Sequence, residues 1–220
     1  MCILGDLSEL PLFPLRTVLF PHMELPLHVF EPRYQALIRD CQGAAGNFGV
    51  VAIRNGAEVG GPAEPEGIGT EAIISELQPL SDGRFHLVVT GRRRFQIKAL
   101  ISDRPYLRAE VALLHDLAPD PAAFILASEA RSALSRYLKA LARITGRPAS
   151  TSPLPIDPLI LSWVIAATLV VEGAHQQRLL EQPSVSQRLR LEIELLKREA
   201  TLLDLELANR LQPVPTYGRN

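Results

Sequence analysis

Apolar residues change their spacing once along this chain, near His115, and that change limits what it can fold into. Before it, they alternate with polar residues or stand in short runs broken by Pro and Gly, as strands do. After it, they recur every three or four residues, as in helices with one buried face. The fold class expected is α+β: a β-rich lobe over 1–115, a helical lobe over 116–212 and a tail over 213–220. At 47% hydrophobic residues the chain can bury a core without staples, since a chain of this size hides roughly 70% of its unfolded surface.

In the first lobe, Leu10-Pro11-Leu12-Phe13-Pro14-Leu15, Val18-Leu19-Phe20-Pro21 and Leu25-Pro26-Leu27-His28-Val29-Phe30 read as extended, because Pro disfavours helix at its own position and the one before. Proline also points to sheet edges. Glu31-Pro32-Arg33-Tyr34 opens one short helix, with Tyr34, Leu37, Ile38 and Cys41 on one face and Gly43 as its stop. Phe48 to Ile53 reads as a buried strand, and Arg54 to Gly67, rich in Gly, Pro and Glu, as a loop. Asp82-Gly83 supplies a tight hairpin turn between Thr70–Leu77 and Phe85–Val89. Gly91-Arg92-Arg93-Arg94 reads as a polar turn into Phe95, a core plug, and Tyr106 to Val111 as a further strand.

In the second lobe, Pro119 to Leu141 sets Leu126, Ala130, Leu134, Tyr137 and Leu141 on one helical face, ended by Gly146 and Pro148. Thr151 to Pro155 reads as a linker. Asp157-Pro158 opens a second helix, His175 to Leu180 forms a third, and Ser184-Val185-Ser186-Gln187 has capping-box spacing for a fourth. In that last helix Leu189, Ile193, Leu196, Ala200, Leu203 and Leu207 form a heptad seam, beside a second stripe of Leu191, Leu195 and Leu202. The seam is either internal packing or a contact for a partner or a second copy.

Charge excludes several functions. There are 11 basic and 13 acidic residues up to His115, and 12 and 11 after it, so neither lobe has the field a nucleic-acid binder needs. No polybasic tail suits a membrane surface, and the Leu159–Val171 run is short of the roughly 20 residues of a span. Cys2 and Cys41 are isolated thiols, which fits a reducing, cytoplasmic setting. There is no phosphate-cradling GxxxxGK[ST], no GxSxG elbow and no metal-spaced His or Cys set, so neither cofactor nor metal is expected. Gly67-Ile68-Gly69-Thr70-Glu71-Ala72 matches a dinucleotide fingerprint in letters only: a loop precedes it and a strand follows, so it reads as a glycine entry into that strand.

The segment from Leu10 to Tyr34 resembles the opening of the N-terminal domain of Lon proteases. Later pieces keep the same order: Gly69-Thr70, Asp82-Gly83-Arg84, Gly91-Arg92-Arg93-Arg94-Phe95, Tyr106 with Ala109 and Val111, then Gln177 to Glu181 and Arg188-Leu189. The resemblance implies a pseudo-barrel of about six strands, related to the PUA-like architecture, followed by a helical bundle. It also implies capture of unfolded or tagged polypeptide. The sequence stops before the motor and protease of that family would begin, so the expectation is a binding module without catalysis. Candidate peptide-binding residues are Pro26, His28, Glu31, Arg33, Tyr34, Arg92 and Arg93, on an apolar surface with a strand edge that could add a peptide strand. The alternative for the arginine cluster is pairing with Glu31 or Glu71, and for Phe13, Phe20, Phe30 and Tyr34 it is a place in the core. Leu189, Ile193, Leu196 and Leu203 are the candidates for docking on a protease or a homodimer partner. A cleft between the lobes taking a small molecule is the remaining alternative.

Overall fold

The structure is a computed structural model and describes residues 7–42, 46–61, 63–148 and 153–210. The Gly43 helix stop, part of the Thr151–Pro155 linker and the tail lie outside these. The chain divides into two compact units: residues up to Ala118 together with Ala166–Ser184, and Pro119–Ile165 together with the chain from Val185 onward.

The first unit contains strands β1 (Leu7–Leu15), β2 (Glu24–Val29), β3 (Asn47–Gly56), β4 (Ala63–Pro65), β5 (Ile68–Pro79), β6 (Phe85–Ile101) and β7 (Arg108–Leu113), with helix α1 (Pro32–Gln42). Strand β1 serves two neighbours. Leu7–Pro11 run antiparallel to β7, and Leu12–Leu15 run parallel to β3. The order β1-β7-β6-β5-β3 therefore returns to β1 and closes a small barrel. Strand β6 is long because it serves both the barrel and a wing. Its Phe95–Ile101 half pairs with β7 and its Phe85–Thr90 half with β2, while β5 follows its other edge. Gly91 marks the crossover, where a Cβ would stand 2.3 Å from the Phe20 carbonyl oxygen.

Phe95 plugs the barrel as its sequence position suggested, fully buried among Leu10, Leu12, Val51, Ala109 and Val111. Two glycines make room for its ring: a Cβ on Gly49 or Gly69 would lie 2.6 or 2.7 Å from Phe95 Cζ. Gly69 sits in β5, so the dinucleotide-like letters are a close approach to an aromatic ring. The larger core lies under α1, where Tyr34, Leu37, Ile38 and Cys41 meet Phe13, Phe48, Val50 and Leu87. Phe13 and Tyr34 stack at 4.2 Å, and Tyr106 donates its hydroxyl to Asp40 at 2.5 Å.

Three local expectations differ from the structure. Arg54–Gly67 holds the end of β3 and the short β4, pinned by Arg54 and Asn55 on Glu64, where a loop was expected. Those cross-strand polar pairs leave no apolar period to read. Gly91–Arg94 lies inside β6, not in a turn, because pairing with β5 continues through the crossover, with Gly91 beside Ala72 and Arg94 beside Thr70. The short helix α4 (Gly173–Glu181) returns to the β unit, where Gln177 Nε2 donates to the Ile68 oxygen at 3.1 Å and Arg94 Nη1 to the Leu180 oxygen at 2.8 Å. A cut at residue 115 does not anticipate that return.

The second unit pairs α2 (Pro121–Thr145) with α5 (Val185–Arg210), and α3 (Pro158–Thr168) begins in it. Asp120 caps α2 by accepting from Ala123 N at 2.8 Å, and Gly146 ends it in the left-handed region at φ 69°. The buried stripe of α2 is Ala123, Ala127, Ala130, Ala133, Leu134, Tyr137 and Ala140, which contains the expected Ala130, Leu134 and Tyr137, while Leu126 and Leu141 at the edge of that face are half-buried. Small alanines allow close approach of α5, which the larger leucines would prevent. No helix among the described residues is long and apolar enough to cross a membrane.

Candidate functional site

Among the described residues β2 pairs only with β6, so its other edge is open. Gly91 N donates to the Met23 oxygen, and bonded pairs alternate along an antiparallel ladder. Leu25, Leu27 and Val29 therefore turn their backbone groups to β6, and Glu24, Pro26 and His28 turn theirs outward. Pro26 thus occupies the middle outward position, where it loses no ladder bond and offers no N–H to an incoming strand.

The outer face of this wing carries two cross-strand rows. Pro26 lies beside Val88 and Val88 beside Glu76; His28 lies beside His86 and His86 beside Gln78. The His28 and His86 rings meet edge-on with centroids 4.7 Å apart. These six side chains, with Leu27, Leu77 and Leu87, line an open trough of about 540 Å³. A smaller pocket of about 80 Å³ shares Leu27 and His28 with it and extends along Phe30, Glu31, Tyr34, Glu58 and Val59. Phe30 is 47% and Val59 56% exposed, so two large apolar side chains face water there.

The other expected residues support these walls. Arg33 bonds Glu31 at 3.1 Å and the Gly61 and Glu58 carbonyls at 3.0 and 3.3 Å, and Gly60 N donates to the same Glu31 carboxylate. Glu31 and Arg33 therefore fasten the 58–61 segment beside α1. Arg33 also lies 4.5 Å over the Tyr34 ring. Tyr34 is buried, which pushes its hydroxyl pKa up; Arg33 opposes this, and Glu31 and Glu58 add to it. Of the four aromatics weighed as core, Phe13, Phe20 and Tyr34 are buried and Phe30 is not.

The arginine cluster separates into three environments. Arg92 is exposed. Arg93 Nε bonds buried Glu71 at 3.1 Å, and Asn47 donates to the same carboxylate at 2.6 Å. Arg94 is 2% exposed, with Asp116 at 2.7 Å; burial lowers its pKa and Asp116 opposes that. In α5, Leu189, Ile193 and Leu196 are buried and Leu203 is half-buried, in the unit where α2 packs against α5. The seam is internal packing at those three positions.

Glu76, Gln78, His86 and Val88 line the trough and were missed in the sequence. The signal was available: the Asp82-Gly83 hairpin pairs Pro79 with Phe85, and counting outward places Gln78 beside His86 and Glu76 beside Val88.

Comparison with known proteins agrees with this architecture. Residues 9–198 match the family described as the ATP-dependent protease La (LON) substrate-binding domain. A Lon protease of Anaeromyxobacter dehalogenans is 32% identical over 90% of this chain, and Lon protease 2 of Myxococcus xanthus 33% identical over 89%. This chain spans about a quarter of each, 24% in both cases. The crystal structure of a Lon N-terminal domain protein from Xanthomonas campestris matches with a TM-score of 0.61 and 28% identity, covering 83% of this chain and 95% of that one. The N-terminal domain of a Mycobacterium avium complex Lon protease shares the fold at a TM-score of 0.64 and 21% identity, over 86% and 98% of the two chains. The chain belongs to the Lon substrate-binding domain family.

Proposed function

We propose that the β unit holds extended, unfolded polypeptide in the trough across β2, β6 and β5, and that this chain acts as a binding module with no bond-breaking step of its own. The observation carrying this reading is the trough itself, with Val88 on its floor and exposed Phe30 and Val59 at its extension. Recognition runs through side chains. Pro26 removes the central donor that strand addition along β2 would use, so apolar burial supplies the affinity. The family match supports polypeptide as the ligand, and the buried free thiol of Cys41 suits a reducing cytoplasm.

The test is a titration of a labelled, permanently unfolded polypeptide against wild type and Val88→Arg. A charge on the apolar floor weakens binding about tenfold, ~1.4 kcal/mol, with the thermal midpoint unchanged. Absence of binding by wild type at high micromolar protein rejects the proposal.

A further inference from the structure

From Ala130 to Arg147 the chain carries Arg131, Arg136, Lys139, Arg143 and Arg147 and no acidic residue, in a protein whose formal net charge is -1. Most of these cations line one groove of about 610 Å³ on α2, together with Ser132 and Ser135. Arg131 is occupied, donating to the Pro155 and Ile156 carbonyls. Arg136, Lys139 and Arg143 are spaced by three and four residues, so they stand on one face over roughly 10 Å of helix axis. One acid enters the groove, Asp204 of α5. Its carboxylate lies 3.4 Å from Arg136 and 3.8 Å from Arg143, and Lys139 between them has no acidic partner among the described residues. All three bridging side chains are well exposed, at 59%, 64% and 40% for Arg136, Arg143 and Asp204. Contacts so long and so wet are weak and easily exchanged.

The helix dipole accounts for Arg143, which lies in the last turn of α2, but not for Arg136 or Lys139, which lie further from its end. We propose that this groove binds an acidic polypeptide segment, and that Asp204 is a built-in stand-in for one of its carboxylates. Asp204 already demonstrates the geometry: one carboxylate bridges two arginines seven residues apart. An extended peptide advances about 3.4 Å per residue, so acidic side chains two or three positions apart reach successive cations. Charge complementarity selects the class of partner. The row is single-sided and spread out, which does not suit a compact phosphate ligand. Tyr137, the aromatic residue of this stretch, is buried, so the groove offers no ring on which a base could stack.

The experiment uses fluorescence anisotropy with the full chain and three labelled peptides of one length, alternating Gly with Glu, Gln or Lys, at about 50 mM salt. A single-stranded oligonucleotide of matched charge is the fourth probe. The Glu peptide binds at least fivefold more tightly than the Gln peptide, and 0.5 M salt abolishes the difference. Asp204→Asn, which removes the internal competitor, tightens the Glu peptide two- to fivefold, a gain that misfolding cannot produce. The combined variant Arg136→Gln, Lys139→Gln and Arg143→Gln loses the preference while keeping its thermal midpoint. Equal binding of the Glu and Gln peptides overturns the proposal, as does an unchanged or weakened Asp204→Asn. Tighter binding of the oligonucleotide than of the Glu peptide reassigns the groove to nucleic acid and also overturns it.

Discussion

Replacing Glu192 by Gln should stabilise the helical unit increasingly as pH rises. Glu192 lies on α5, fully buried, and neither carboxyl oxygen has a hydrogen-bond partner. One turn earlier, Arg188 is also fully buried, donates from Nε to Ser162 Oγ at 2.9 Å and lies 3.5 Å over the Trp163 ring. Burial raises the Glu192 pKa well above the usual carboxylate range, and Arg188 only partly opposes it. The sign follows by linkage. A carboxyl raised on folding contributes its stability in full below its unfolded pKa, and that contribution is lost as pH climbs toward the folded value. Within that window the loss reaches about 1.4 kcal/mol per pH unit, so up to ~2.7 kcal/mol over two units. The amide keeps the shape and removes the titration. Trp163, the one tryptophan of the sequence, reports on this cluster by its fluorescence during urea unfolding at pH 5, 6, 7 and 8. No histidine lies in this unit, and subtracting variant from wild type cancels the remaining groups. The Glu192→Gln variant should match or trail wild type at pH 5 and overtake it by pH 8. A difference that stays flat with pH, or one that increasingly favours wild type, would refute the buried-neutral carboxyl.

Three further outcomes follow from packing. Gly69→Ala costs about 3 kcal/mol in urea unfolding, because its Cβ meets the Val50 backbone oxygen at 2.5 Å and that atom has nowhere to move. Gly49→Ala meets the Phe95 and Leu12 side chains first, at 2.6 and 2.8 Å, so adding Phe95→Leu should recover about 1 kcal/mol or more there, and less with Gly69→Ala. Arg94→Met removes a charge partner of Asp116 and a donor to Leu180 O; because Asp116 is 20% exposed, the expected loss is about 3 kcal/mol, at the lower end for a broken buried pair. Burial, with Asp40 adding, pushes the Cys41 thiol up to about 11, so iodoacetamide at pH 8 should label it, by mass spectrometry, only once the chain is unfolded.

What could be read from sequence was whatever is encoded locally. The α1 face of Tyr34, Leu37, Ile38 and Cys41, the Asp82-Gly83 hairpin and the Asp157 start of α3 all depend on residues within one turn of each other. The closure of the barrel was not readable, because the β1–β3 pairing joins Leu12 to Gly49 across 37 residues with no local signal. The Arg92–Arg94 run looked like one feature, yet strand alternation and the crossover at Gly91 sent its members to water, to Glu71 and to Asp116. The site was half legible. Pro26 and His28 lie on the strand that lines the candidate trough, Glu31 and Tyr34 line the smaller pocket beside it, Arg33 ties Glu31 to the Gly61 carbonyl, and the opposite wall comes from β5 and β6.

A module that accepts many different chains needs contacts that place few demands on sequence. Main-chain pairing is one such contact, but an open edge that pairs with anything also pairs with other copies of itself. Pro26 at the middle outward position of β2 blunts that hazard, and under the proposed function the same proline leaves the affinity to the apolar side chains beside it. Binding there should depend little on salt and carry a negative heat-capacity change. Binding in the α2 groove, where Arg136, Lys139 and Arg143 share one internal carboxylate, should fade steeply with salt. Ionic strength therefore separates the two surfaces within one protein, and a client bearing both an apolar and an acidic stretch would lose only the second contact as salt rises.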